Sequence, residues 1–335
     1  MSYMLIKPTD TLFFRGGKPF TAGVDSWSDS SFLPHPSVIW GAMFSVLFRE
    51  GKVTTKHEDR KKLHIKNIYL YNEKQTTVLI PAPLDIFVDS DNNKYISKYK
   101  DVDFLSNYFL KVTSHIETDQ DVKPLENHFI EINSLYEHYI HGFNKNLILY
   151  RFEDVFVQDY KVGIAIDKTT KTAKESNLYR IDLTQFHEEW SFLIEYDSEI
   201  TFKKSGMLKL GGEGKTASFA VIDEPIGLQS AKATKGKMEE RLKAKNYCKV
   251  LFKTPTFFKC GWKPEQEGLV CANVGKYLSI GGWDMESKNH KPMKRYVPAG
   301  SVYVFKKTGE FTMASEDEES YKGFGCYEIL TVGEY

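Results

Sequence analysis

Cysteine is scarce in this sequence. The 335 residues hold four, Cys248, Cys260, Cys271 and Cys326, and no two form a C-x-x-C pair. A zinc knuckle and a disulfide framework are therefore not expected, and the pattern fits reduced, packed thiols. Net charge is absent too, because 45 Lys and Arg balance 45 Asp and Glu. That excludes a uniformly basic, histone-like protein but leaves a local basic face open. The longest apolar run, Val38 to Phe48, is too short to span a bilayer. Met1 to Asp10 lacks a basic stretch followed by an apolar one, so no signal peptide is expected. There is no H-E-x-x-H pattern, and His138 and His141, spaced i, i+3, have no fixed third ligand. The expectation is a soluble cytoplasmic protein with no metal, no cofactor and no membrane partner.

What is present is apolar mass (41%) and aromatic content (14%), enough for a real core and suited to β-rich interiors, subunit interfaces and base stacking. The length suggests two domains or one large one. Strands are expected at Ser2 to Ile6, Ile65 to Tyr71, Val78 to Val88, Phe156 to Ile166, Ser191 to Tyr196 and Ser218 to Ile222. Others follow at Val250 to Lys253, Ser301 to Lys306 and Cys326 to Val332. Pro34-His35-Pro36 reads as extended, with Ser37 as N-cap of a helix reaching Arg49. That helix is apolar all round, which calls for burial on more than one side. Tyr99 to Phe143 reads as irregular with some helix, a candidate insertion. Lys232 to Lys249 reads as charged and partly helical. Mixed strands with few helices favour α+β over a doubly wound fold. Lys203 to Lys263 holds fourteen Lys and Arg against five Asp and Glu, so the neutral total hides a basic region able to meet phosphates.

Several loops carry candidate chemistry. Gly211-Gly212-Glu213-Gly214-Lys215-Thr216 would let backbone N–H groups approach an anion, with Lys209 and Lys215 adding charge. It is not a P-loop, because Lys209 stands where that pattern needs a glycine. A plain turn between strands is its other reading. Arg15-Gly16-Gly17-Lys18-Pro19-Phe20 is a second cation–glycine–aromatic loop, whose Phe20 could support a base or simply enter the core. His35 and Ser37 stand at a helix N-terminus, a spot attractive to anions where a histidine could also do acid–base chemistry, but a structural histidine bonded in a Pro-rich loop is the preferred reading of His35. Gly281-Gly282-Trp283-Asp284 leads into Lys288, Lys291, Lys294 and Arg295, either a stacking-plus-phosphate surface or a hairpin tip with snorkelling lysines.

The order of motifs points to a family. R-G-G-K-P-F (Arg15 to Phe20) is followed by L-P-H-P-S-V-I-W-G-A (Leu33 to Ala42) and P-A-P-L-D (Pro81 to Asp85). Then come V-G-I-A-I-D…T-A-K-E-S-N-L-Y (Val162 to Tyr179), L-G-G-E-G-K (Leu210 to Lys215), Y-V-P-A-G-S-V-Y (Tyr296 to Tyr303) and G-F-G-C-Y (Gly323 to Tyr327). The series resembles the RAMP superfamily of CRISPR-associated proteins and, within it, the third-subunit family of type III-B Cmr effector complexes. The resemblance implies two ferredoxin-like (RRM-type) domains with insertions, here 1–235 with an insertion near 90–145, and 236–335. It implies a non-catalytic subunit that holds the 5′ repeat-derived tag of the crRNA. It also implies contacts to the backbone RAMP subunit and the large polymerase/cyclase-type subunit, with target RNA met only indirectly. The RNA-binding residues expected on these grounds are Arg15, Gly17, Lys18, Phe20, His35, Ser37, Lys209, Gly211, Gly212, Gly214, Lys215, Trp283, Lys288, Lys294 and Arg295. The alternative is a metal-independent RAMP endoribonuclease using His35 with Lys18 and a tyrosine.

Overall fold

The computed structural model describes residues 1–14, 27–28, 33–101, 112–141, 147–166, 169–170, 172–243, 245–284, 286–307 and 310–331. It is a mixed helix-and-sheet chain. The first strand, β1 (Ser2–Pro8), turns Met4 and Ile6 to one side and Tyr3 and Leu5 to the other. Helix α1 (Pro36–Arg49) follows. Its N-cap is His35, at φ −63° and ψ 149°, with no side-chain cap bond, and not Ser37 as expected. Proline bars the residue before it from the helical region but itself suits the first helical position, so the helix starts two residues earlier.

Next come β2 (Leu63–Asn72), β3 (Thr77–Pro81), β4 (His128–Glu131), α2 (Ile132–His141) and β5 (Leu149–Arg151). The expected strand over Val78 to Val88 is broken in two at Pro81 to Pro83, with a short strand resuming at Ile86–Val88. The candidate insertion is not wholly an excursion, because β4 pairs with β3, Phe129 opposite Pro81. The long ribbon β6 (Phe156–Ile166) and β7 (Ala173–Phe186) leads to β8 (Trp190–Ser198), β9 (Ser205–Lys209), β10 (Thr216–Ile222) and α3 (Ile226–Lys243). The chain ends through β11 (Tyr247–Phe252), β12 (Leu269–Asn273), β13 (Leu278–Asp284), β14 (Asn289–Val297), β15 (Val302–Lys306) and β16 (Tyr327–Thr331).

The main sheet runs β5-β4-β3-β2-β8-β1-β10-β9, and a second sheet runs β12-β15-β11-β16. Within the first, β1, β2, β8 and β10 lie in the spatial order fourth, first, third, second. Within the second, β11, β12, β15 and β16 repeat that order. Leu5 pairs with Leu193 on one side and Ala220 on the other, which fixes the register of the central strands.

Each face of the main sheet has its own core. On one, Met4, Ile6, Leu70, Phe192 and Ile194 meet Ile39, Met43 and Leu47 of α1. Each such side chain contributes roughly 1.5–3 kcal/mol by leaving water. Trp40 donates to Leu63 O at 2.9 Å, stacks on Phe44 at 4.6 Å and meets Tyr321 edge-on at 5.5 Å. The helix is thus clamped between the sheet and the C-terminal segment, as its all-round apolarity requires, leaving Phe48 exposed. On the other face, Tyr69, Tyr71 and Leu193 meet Leu135 and Tyr136 of α2, Leu228 and Met238 of α3, and Leu251, Val302 and Leu330 of the second sheet. Residue 235, where the sequence places a boundary, lies inside α3.

Two of the family-like motifs meet at this junction. Leu84 N–H donates to Gly300 O at 2.8 Å, joining P-A-P-L-D to Y-V-P-A-G-S-V-Y. Gly300 sits at φ +87°, and a Cβ there would lie 2.6 Å from Ala82 O. Gly300→Val is therefore expected to cost about 3 kcal/mol, from left-handed strain plus a backbone clash. An unchanged urea midpoint would show that the two segments do not touch.

Charges are buried at the same junction. Lys249 pairs with Asp85 at 2.5 Å, both almost fully buried. Glu328 lies between Lys253 at 2.6 Å and Lys235 at 2.7 Å. Glu195 accepts from Asn67 at 2.5 Å and from Tyr69 at 3.2 Å, with Lys232 3.5 Å away. No helix among the described residues is long and apolar enough to cross a membrane.

Candidate nucleic-acid interface

The glycine-rich loop is a tight turn joining the edge strand β9 to β10. Leu210 N–H donates to Lys215 O at 3.0 Å, and Lys215 N–H to Gly212 O at 3.2 Å. Gly211 (φ +82°), Glu213 (φ +56°) and Gly214 (φ +70°) all take left-handed backbone, which is why the turn needs glycine. One side of it is occupied. Gly212 N–H donates to Phe13 O at 2.9 Å, and a Cβ on Gly211 would come within 2.5 Å of that same oxygen. Around Gly214 no heavy atom of the described residues lies within 4 Å of where a Cβ would stand. The turn thus grips the chain leaving β1 with its first two glycines and leaves its third open.

Lys215 does similar work. Its Nζ lies 2.9 Å from Asp10 Oδ2 and donates to Thr11 Oγ1 at 2.7 Å. The Lys215 hydrogen bond holds the Asp10 carboxyl below its ordinary range. On the far side of the same segment Leu12 and Thr184 exchange backbone hydrogen bonds, at 2.6 and 2.9 Å, so β7 also braces it. Lys161 of β6 approaches Glu213 at 3.7 Å. Three pieces of chain, 9–14, 210–216 and the root of the β6–β7 ribbon, therefore converge. Arg15, Gly17, Lys18 and Phe20 continue directly from Phe14 but lie outside the described residues. Lys209 ends β9 and is exposed.

His35 stands elsewhere, beside a small cavity of about 140 Å³. Leu33, Leu70, Phe129, Phe192, Lys253 and Thr254 contribute to its wall. Burial pushes the imidazole pKa down, which favours the neutral ring. Ser37 lies within the first turn of α1 and does not cap it.

The second candidate surface, the β13–β14 hairpin, belongs to the C-terminal half. Trp283 is about half exposed and meets His290 edge-on at 4.9 Å. Lys288 occupies the tip at φ +50°. Lys294 lies over the Phe257 ring at 4.8 Å and Arg295 over Tyr277 at 4.8 Å. Lys291 pairs with Glu319. Three members of the acidic run at 316–319 make internal bonds: Lys259 N–H donates to Glu316 at 2.9 Å, Tyr296 O–H donates to Asp317 at 2.8 Å, and Lys322 joins Glu319 at 2.6 Å.

One surface escaped the sequence reading. Tyr160, Val162, Ile164 and Ile166 share one face of the β6–β7 ribbon, and each is more than half exposed. Arg180 lies over the Tyr160 ring at 4.4 Å. The V-G-I-A-I alternation was visible but normally means a strand with one buried face. Only the small residues between the apolar ones hinted otherwise.

The chain resembles known proteins over most of its length. The family model described as CRISPR-associated protein (Cas_Cmr3) matches residues 4–333. The CRISPR system CMR subunit Cmr3 of Saccharolobus solfataricus is 27% identical over 236 residues, 68% of this chain and 65% of that relative. The chain thus spans just under two thirds of the length of that curated relative. Among solved structures, a chain of the type III-B Cmr-beta complex bound to cognate target RNA and AMPPnP superposes with TM-score 0.53 at 18% identity, covering 90% of this chain and 86% of that one. A second structure of that complex, bound to cognate target RNA, gives TM-score 0.52 at 17% identity with the same coverage. With the family model reaching from the first strand to the last, the chain belongs to the Cmr3 family of type III-B CRISPR-associated proteins.

Proposed function

We propose that this chain is a non-catalytic, RNA-binding subunit of a type III-B effector complex that holds the 5′ repeat-derived tag of the crRNA. The observation that carries the reading is the convergence at the end of β1. There the Gly211–Gly212 turn, Lys215 and Thr184 fix the segment 10–13 from three sides. A rigid root of this kind supports a cation-bearing loop, Arg15 to Phe20, that grips RNA backbone, while Gly214 and Lys209 face outward beside it. Trp283, Lys288, Lys294 and Arg295 form a second, outlying surface on the other half. His35 and Ser37 serve the helix start in this reading, with any RNA contact made through the neutral imidazole.

The same reading takes the two sheets, each in the order fourth, first, third, second, as two ferredoxin-like units. The outer helices of the second are largely replaced by loops, and α3 is shared between the units. The backbone RAMP subunit and the large polymerase/cyclase-type subunit are its neighbours in the complex, and target RNA is met through the guide.

The test is a filter-binding comparison of tag-bearing RNA with an RNA of equal length and scrambled tag. Arg15→Ala with Lys18→Ala should lose tenfold or more for the tag-bearing RNA, two contacts at about 1 kcal/mol each. Equal losses on both RNAs would make the loop a general phosphate contact, and no loss on either would remove it from the interface. Cleavage of repeat RNA by the purified chain in EDTA, abolished by His35→Ala, would replace this reading with the endoribonuclease.

A further inference from the structure

We propose that the free edge of the main sheet, strand β9, is a docking site for an extended acidic segment of a partner protein subunit, added as a ninth strand. Strand β9 ends the sheet, with β10 on one side and no strand on the other among the described residues. The pairing shows which groups it offers. Val221 N–H donates to Lys204 O at 2.8 Å and Leu210 N–H to Lys215 O at 3.0 Å, so even-numbered residues point toward β10. Ser205, Met207 and Lys209 therefore turn their backbone groups outward. Arg49 of α1 takes one of these, donating to Met207 O at 2.8 Å. Among the described residues nothing else pairs with the Ser205 and Lys209 carbonyls or the three N–H groups, which are left for a partner strand.

Beside this edge lies an open cleft of about 540 Å³, formed with the C-terminal end of α1 and lined by Val46, Arg49, Lys52, Lys203, Gly206 and Phe219 among others. Its floor is apolar because Gly206 has no side chain. A Cβ there would lie 2.8 Å from the Phe219 ring, which instead spreads across the strand. Its rim is basic: Arg49, Lys52 and Lys203 line it with one carboxylate among the described residues, Glu50, and Lys204 follows next in the chain. That carboxylate is already held by Lys52 at 2.8 Å and Lys203 at 3.3 Å. The excess of cations selects an acidic occupant, and the same lysines oppose pairing with a second copy of this edge.

The occupant is a polypeptide rather than RNA because of the edge itself. It alternates outward donors and acceptors at strand spacing, which another extended backbone matches in register, whereas phosphates would face the carbonyls with like partial charge. This inference goes beyond tag binding: the cleft lies at the Ser205 end of β9, whereas the turn that holds Phe13 follows its Lys209 end.

The experiment uses the assembled effector complex, reconstituted with this chain. Carbodiimide cross-linking, which joins lysine to carboxylate, should link Lys203 or Lys204 to acidic residues of one partner subunit. Met207→Pro removes an outward N–H and leaves the ladder to β10 intact, a substitution that edge strands accept. It should reduce retention of that subunit about tenfold, the equivalent of one lost main-chain bond with its neighbours. Lys203→Glu with Lys204→Glu, a surface change that does not depend on strand geometry, should do the same. Tag-RNA binding by the chain alone should stay at the wild-type level for Met207→Pro, which separates failure here from failure of the tag reading. Retention unaffected by both variants would overturn the proposal. So would ultraviolet cross-links from this edge to crRNA, with nuclease treatment releasing the subunit.

Discussion

Replacing Glu328 by alanine is expected to destabilise the protein by about 3–5 kcal/mol, because it strands Lys253 in the interior with no counter-charge. Burial alone would raise the Glu328 carboxyl. Lys253 and Lys235 outweigh it and hold the pKa at about 2. A glutamate in the unfolded chain titrates near 4.3. The folded value is depressed, so the stabilisation is complete above pH ~4.3 and is lost as pH falls toward 2. Its size is roughly 3 kcal/mol by linkage. The check is a urea midpoint measured from pH 7 down to pH 3, in wild type and in Glu328→Ala. Wild type should lose stability through this window and the variant should lose less. Glu328→Leu combined with Lys253→Met should recover most of the loss, since an apolar replacement of a buried pair is close to neutral. Parallel acid curves for wild type and Glu328→Ala would show that this carboxylate does not couple to folding.

The second large effect is expected at the glycine turn, where two glycines three residues apart should respond differently. Gly211→Val places a Cβ against the Phe13 carbonyl at φ +82°, so left-handed strain and the lost Gly212–Phe13 bond add to about 3 kcal/mol. It should also weaken tag-RNA binding, by displacing the segment that carries Arg15. Gly214→Ala meets none of the described residues and should cost only about 1–2 kcal/mol of strain. If RNA backbone approaches the turn, this smaller change should still reduce affinity. Thermal melts and RNA titrations on the same two variants separate the roles. Equal stability losses, or full affinity in Gly214→Ala, would contradict this division of labour.

Much of this architecture can be read from the residues. Alternation marked β1, β8 and β10, and an apolar helix with no polar face had to be covered twice, as α1 is. The family-like motifs were legible as strings but not as roles. P-A-P-L-D and Y-V-P-A-G-S-V-Y are conspicuous because their backbones touch at Leu84 and Gly300, a contact between residues more than two hundred positions apart that no local pattern announces. Lys215 read as a free cation because its partner, Asp10, is equally distant. The strand Ala173–Phe186 was hidden by its polar composition, and the exposed face of its partner by the rule that alternation means burial. Ser37 was misplaced by treating Pro36 as a barrier when it is a helix starter.

The position of β1 has a consequence for biosynthesis. Both of its neighbours, β8 and β10, come from residues 190–222, so the amino-terminal strand leaves the ribosome with both edges unpaired. At 5–20 residues per second, roughly 10–40 s pass before Ile222 has been made and the strand can be enclosed. Throughout that interval Met4 and Ile6 are a sticky segment without a home. The charged Lys7 and Asp10 beside that segment oppose its aggregation while it waits.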